Sequence, residues 1–173
     1  GIGLAIARQF AAQGAELWLN GRDEEAITRM VEALGVEFGV PCIPLCFDVA
    51  DPQAVKQAFQ QLFGQTRQLD VLVNNAGITH RSSFADTELA VFQRIMAVNY
   101  FGALHCTLAA FDSLVNRHGQ VIVLSSLSGF APLLYRSAYN ASKHALHGLF
   151  ETLRYEIKGS GVNVMLVCPG FTA

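Results

Sequence analysis

Apolar residues along this chain fall into two alternating patterns. Short β-branched runs, such as Val71-Leu72-Val73 and Val121-Ile122-Val123-Leu124, read as strands buried on both faces. Longer stretches, apolar at every third or fourth position, separate them and read as amphipathic helices. The spacing predicts a helix from Gly1 to about Gln13, stopped by Gly14, then a strand from Glu16 to Asn20. Asp23 is placed to cap a helix reaching Phe38, with Glu24 and Glu25 in its first turn. A strand at Cys42–Phe47, a helix from Asp51 to Phe63 and a strand at Asp70–Val73 follow.

A long helix is predicted from Thr87 to Arg117, then a strand at Gln120–Ser125 and a loop to Tyr135. A helix from Ser137 to Lys158 ends at Gly159 and Gly161, and a last strand spans Asn163–Val167. Strands alternating with helices at this spacing predict one α/β domain over residues 1–173, built on a parallel sheet with helices on both faces. Gly1-Ile2-Gly3 opens directly into a helix. A glycine turn of that kind normally follows the first strand of a doubly wound, Rossmann-type sheet. The expectation is therefore a fragment, with its first strand upstream, a substrate loop and last strand downstream, and a gap in mid-sheet.

Composition narrows the function classes. The chain is 51% hydrophobic and 15% charged, which suits a packed core and excludes a disordered segment. A formal net charge of −2 and the lack of a basic stripe argue against nucleic acid as a partner. No apolar run is long enough to span a bilayer. Cys42, Cys46, Cys106 and Cys168 all sit in apolar stretches without a C-x-x-C pair, so buried, reduced thiols of a cytoplasmic protein are expected. His144 and His147 share a helix face, but no third ligand stands at a recognisable spacing. No metal site is expected, and packing or surface roles suit both. His80 is expected on a solvated loop.

Candidate chemistry gathers at strand ends. Tyr139 and Lys143 stand four apart on one helix face. A phenol titrates near ~10 and is a poor proton donor at neutral pH. An ammonium at roughly 4 Å, in an effective dielectric of ~20, favours a phenolate by about 4 kcal/mol and brings it into range for proton exchange. Ser126, thirteen residues before Tyr139, ends an apolar strand, where ligands bind in open parallel sheets and where its hydroxyl can donate to a substrate oxygen. Turn formation is the plainer role for Ser125-Ser126. Asn74-Asn75-Ala76-Gly77 also follows a strand, with small residues that let backbone approach a nucleotide. Asn99, followed by Tyr100-Phe101-Gly102, lies in the long helix, where Asn and Gly form helix poorly and a kink is expected.

Together these motifs resemble the short-chain dehydrogenase/reductase family over essentially the whole chain. Gly1 and Gly3, with Ile2 between them, match the end of its glycine-rich turn. Asp48 in Phe47-Asp48-Val49 matches an acidic residue beside adenine, and Asn75, Ala76 and Gly77 match the N-N-A-G segment. Asn99, Ser126, Tyr139 and Lys143 match the catalytic tetrad, and Pro169, Gly170 and Thr172 match the segment beside nicotinamide. The resemblance implies Tyr139 as general acid and base, Lys143 as the residue that favours its phenolate and holds the ribose, Ser126 on the substrate oxygen, and Asn99 on a water that resupplies protons. It also implies a homodimer or homotetramer paired through the helices that contain Asn99 and Tyr139.

The strand ending Leu19-Asn20-Gly21-Arg22 bears on cofactor choice. Gly21 stands where an NAD-binding site tends to place a carboxylate, and Arg22 offers a planar fork for a 2′-phosphate. NADP(H) is therefore expected, with NAD(H) the alternative and Asp23 a competing negative charge. Arg136-Ser137-Ala138-Tyr139 through Ala145 resembles, more loosely, the dehydrogenase/reductase member 7-like branch. That would imply hydrophobic carbonyl substrates, with Leu133, Leu134 and Tyr135 lining the pocket or, alternatively, packing in the core. The expected activity is NADP(H)-dependent interconversion of a ketone or aldehyde with an alcohol. A nucleotide-sugar epimerase or dehydratase, and a non-catalytic dinucleotide sensor, remain the alternatives.

Overall fold

The structure, a computed structural model, describes residues 1–66 and 68–170. Two units each carry their own sheet, Gly1–Gln65 and Thr66–Ala173. The first runs α1 (Ile2–Ala12), β1 (Leu17–Gly21), α2 (Glu24–Phe38), β2 (Cys42–Cys46) and α3 (Pro52–Gln65). Strands β1 and β2 pair in parallel, from Leu17 opposite Cys42 to Gly21 opposite Cys46. Pro44, which has no N–H to give, is tolerated because β2 ladders on β1 alone among the described residues. Ala7, Ala11, Leu17 and Leu34 close a core with Leu4, Phe10, Leu19 and Met30 around them.

Helix α2 shows how local chemistry sets an element. Asp23 Oδ1 accepts the N–H of Ala26 at 2.9 Å, the N-cap bond expected of it. At the other end Gly39 takes φ 67°, a left-handed conformation cheap only for glycine, and donates to the Gly35 carbonyl at 2.9 Å.

The second unit runs β3 (Val71–Asn74), α4 (Leu89–Met96), a π-helical turn (Ala97–Phe101), α5 (Gly102–Arg117), β4 (Gln120–Leu124), a 3-10 turn (Leu127–Gly129), α6 (Ser137–Glu156) and β5 (Asn163–Val167). Its parallel sheet has the order β3-β4-β5. Middle strand β4 buries Val121 and Val123 completely, as a continuous apolar run in a parallel sheet requires.

The sequence reading expected a parallel sheet interrupted in the middle, and among the described residues the strands form two parallel ladders, of two and of three strands. One difference from that reading stands out. The helix expected over 87–117 is broken by the π turn, where Gly102 N–H bonds the Ala97 carbonyl five residues back. Of the cysteines, all free, only Cys106 is buried; Cys46 is exposed and Cys42 and Cys168 are half-buried. Cys46 follows buried Leu45 on β2, and strand alternation turns it to the opposite, exposed face.

Candidate active site

The second unit builds its site around one charged group in a dry place. Lys143, on α6, is only 4% exposed. Its Nζ donates to the Leu124 carbonyl, the last residue of β4, at 2.6 Å. Burial drives its pKa from 10.5 down to about 8, with Cys168 nearby acting the other way. Tyr139, one turn earlier and half-buried, places its ring centroid 5.7 Å from that Nζ.

Asn99 is the second anchor, 1% exposed within the π turn. Its Oδ1 accepts the Ile78 N–H at 2.8 Å, and its Nδ2 donates to the Ile78 carbonyl and to Ser142 Oγ, both at 2.9 Å. Ser142 Oγ donates in turn to the Tyr139 carbonyl at 2.8 Å. The extra residue of a π turn projects a side chain that an unbroken helix would aim elsewhere. Here that projection ties α6 to the segment after β3. Gly77 lies beside both anchors. A Cβ on it would stand 3.5 Å from Asn99 Oδ1 and 3.8 Å from Lys143 Nζ. Asn75, Ala76 and Gly77 are exposed.

Ser126 follows β4 and caps the 3-10 turn, its Oγ accepting the Ser128 N–H at 3.1 Å. Leu127 N–H donates to the Pro169 carbonyl at 3.3 Å, so the Pro169-Gly170 segment borders this turn. Hydrogen bonding thus connects Asn99 with the backbone of Tyr139, and Lys143 with the strand end that presents Ser126. Thr172 lies outside the described residues.

The first unit holds the remaining cofactor candidates. Gly1 is the N-cap of α1, with no side-chain hydrogen bond capping it among the described residues. Arg22 is exposed just past β1. Asp48 Oδ1 accepts the Ala50 N–H at 2.9 Å, and Val49 beside it is buried. Asn20, which sequence reasoning passed over, pins the ends of β1 and β2 through its Nδ2 on the Leu45 and Phe47 carbonyls, at 3.2 and 2.9 Å.

Loops at the mouth of the second unit are tied together. Ser82 N–H donates to the Tyr135 carbonyl at 3.0 Å, and Arg136 donates to Thr79 Oγ1 at 2.6 Å. Tyr135 sits at φ 63°, a costly conformation for a bulky residue. Leu134, 85% exposed, Tyr135, Leu127 and Phe130 all face solvent, so the core-packing alternative for Leu134 and Tyr135 is wrong. His80 and His144 are exposed, whereas His147 is buried. Among the described residues no three His, Cys, Asp or Glu groups come together as a metal site would need.

Ser142 and the Leu124 carbonyl also escaped sequence reasoning. A signal for Ser142 was its position three residues after Tyr139, on the same helix face. A carbonyl has no sequence signal at all.

Comparison with known proteins points one way. Residues 1–173 match the family described as short chain dehydrogenase. Dehydrogenase/reductase SDR family member 7B of Bos taurus is 39% identical, over 99% of this chain and 54% of its own length. Dehydrogenase/reductase SDR family protein 7-like of Drosophila melanogaster is 33% identical, over 99% and 54%. The chain therefore spans about half the length of these curated relatives. Among solved structures, L-sorbose reductase from Gluconobacter frateurii, complexed with NADPH and L-sorbose, matches with TM-score 0.95 and 28% identity, over 99% of this chain and 65% of that one. An alcohol dehydrogenase from Thermococcus sibiricus, complexed with 5-hydroxy-NADP, matches with TM-score 0.93 and 27% identity, over 98% and 72%.

Proposed function

Because this chain belongs to the short-chain dehydrogenase/reductase family, we propose that it carries the active site of an NADP(H)-dependent oxidoreductase interconverting a hydrophobic ketone or aldehyde with its alcohol. One observation carries the reading. A lysine is buried on the face of α6 that bears Tyr139 and is held by the strand end leading to Ser126. Burying an ammonium is costly, and folds seldom do so without a use for the charge.

Each unit offers groups that suit part of a nicotinamide dinucleotide. The helix N-terminus at Gly1-Ile2-Gly3 suits phosphate. Asp48 and Val49 would serve the adenine end. Asn75, Ala76 and Gly77 expose backbone beside Lys143, and Pro169, Gly170 and Thr172 would serve the nicotinamide end. When bound, the dinucleotide supplies or takes the hydride. In reduction Tyr139 gives its hydroxyl proton to the substrate oxygen, and in oxidation it takes one back. Ser126 donates to the same oxygen and steadies the charge that develops there. Lys143 keeps a positive charge beside the phenol and offers its remaining N–H groups to the ribose hydroxyls. Asn99 fixes Ile78 and Ser142 around them and, by the family resemblance, the water that resupplies protons.

Arg22, exposed at the end of β1 with no carboxylate at Gly21, supports NADP(H) over NAD(H). Leu127, Phe130, Leu134 and Tyr135, exposed on the loop after Ser126, support an apolar substrate. The partner macromolecule is a second copy of the chain, through the exposed stripe of Phe101, at the end of the π turn, and Leu108, on α5.

The test is NADPH consumption by the full-length protein across a panel of apolar ketones and aldehydes. Tyr139→Phe should lower turnover by about 10²- to 10⁴-fold. Arg22→Ala should weaken NADPH binding by about ten- to a hundredfold, while NADH binding stays unchanged. Turnover that survives Tyr139→Phe would refute the mechanism, and tighter binding of NADH by the unmodified protein would refute the cofactor assignment.

A further inference from the structure

Behind the Ser126 turn lies a polar cluster that the proposed mechanism does not use. His147, on α6 one turn past Lys143, is 7% exposed. Its Nε2 stands 2.9 Å from Ser125 Oγ and 3.7 Å from Cys168 Sγ, and its Nδ1 stands 3.2 Å from Glu151 Oε1. A carboxylate only accepts, so Glu151 places the ring proton on Nδ1. That leaves Nε2 to accept from the Ser125 hydroxyl. A serine, a histidine and a glutamate in series resemble a hydrolytic arrangement. Ser125 is buried beneath the 3-10 turn, however, where no substrate carbonyl can reach it.

What the ring touches explains the cluster better. Phe130 packs on it edge to face, with centroids 4.2 Å apart. Gly129 passes so close that an added Cβ would lie 2.5 Å from both Cδ2 and Nε2 of the ring, and 2.9 Å from Ser125 Oγ. On the other side Cys168 leads into Pro169, whose carbonyl accepts the Leu127 N–H. Ser125, Gly129 and Phe130 flank Ser126 in sequence, Cys168 comes from the end of β5, and all four lie against one imidazole.

We propose that His147 is a positioning residue for Ser126: it anchors Ser125 by a hydrogen bond and supports Gly129 and Phe130 by contact, holding the turn that aims the Ser126 hydroxyl. It does not touch substrate. The inference rests on the oxidoreductase reading, in which Ser126 meets the substrate oxygen.

A double-mutant cycle in the full-length protein tests it. His147→Leu keeps the bulk and removes the hydrogen bond, and Ser125→Ala removes it from the other side with little change of volume. Each should lower kcat by about ten- to a hundredfold, the cost of a reacting group misplaced by about 1 Å, while the Kd for NADPH stays unchanged. In a Ser126→Ala background the same changes should cost nothing further, because no hydroxyl is left to misplace. His147→Gln, whose amide reaches the same depth, should recover most of the loss. Hydrogen exchange at the amides of Gly129 and Phe130 should accelerate in His147→Leu and stay slow in His147→Gln. An equal loss of kcat with and without Ser126, or unchanged exchange, would overturn the proposal. If His147→Leu does not fold, Ser125→Ala decides alone by the same two readouts. If the unmodified protein turns over no carbonyl compound, the oxidoreductase reading fails. Exchange then still decides whether His147 holds the turn: acceleration supports the anchoring, and no change overturns it.

Discussion

At the scale of single residues, the governing contest is between charge and burial at Lys143. Desolvation wins far enough to bring its pKa to about 8, whereas an exposed lysine titrates near ~10.4. From pH 8 up to the unfolded value, the unfolded chain holds a proton that the folded chain has released. Unfolding free energy therefore rises with pH across that window, by up to about 3 kcal/mol, and the gain is absent below it. Urea unfolding at pH 7 and pH 10 checks this. The unmodified protein should gain stability relative to Lys143→Met on going to the higher pH; a parallel response would contradict the burial argument. The same burial makes Cys106 inert, its thiol pushed up to about 12.

At the scale of elements, most of the fold was legible because each element carries its own signal. Asp23 before Glu24-Glu25 announced the start of α2, and the structure places its Oδ1 on Ala26. Asp23→Ala should lower the unfolding free energy by about 1 kcal/mol, read from the urea midpoint at constant slope. The short β-branched apolar runs located the five strands to within a residue or two at each end. Less legible was the break in the long helix. Asn99 and Gly102 flagged a weak spot, but propensity cannot distinguish a kink from a π turn. The choice depends on Ile78 and Ser142, which the fold brings to Asn99 and which together take up its side-chain amide. His147 is a similar case. Its spacing placed it on a helix face, and only the arrival of Ser125, Gly129 and Cys168 made it a support.

At the scale of the whole molecule, each unit has a core of its own, and α5 leaves apolar area uncovered. Leu108 is 67% exposed, and Phe101 lies seven residues earlier on the same helical face. A second copy would remove that stripe from water at roughly 25 cal/mol per Å² buried. Leu108→Asp should therefore lower the assembled mass in light scattering of the full-length protein without unfolding it. An unchanged mass would place the contact elsewhere. No described helix is long and apolar enough to cross a membrane.

The sequence by itself determined the alternation of strands and helices, the family and the identity of the candidate site residues. Those signals are local: a period, a cap, a spacing along one helix face. Tertiary structure alone decided that Lys143 is dry and bonded to the Leu124 carbonyl, that Asn99 is latched through Ile78 and Ser142, and that His147 sits under Gly129. Each of these depends on which distant segments arrive at a side chain, and on how much water they exclude, and neither is encoded in its sequence neighbours.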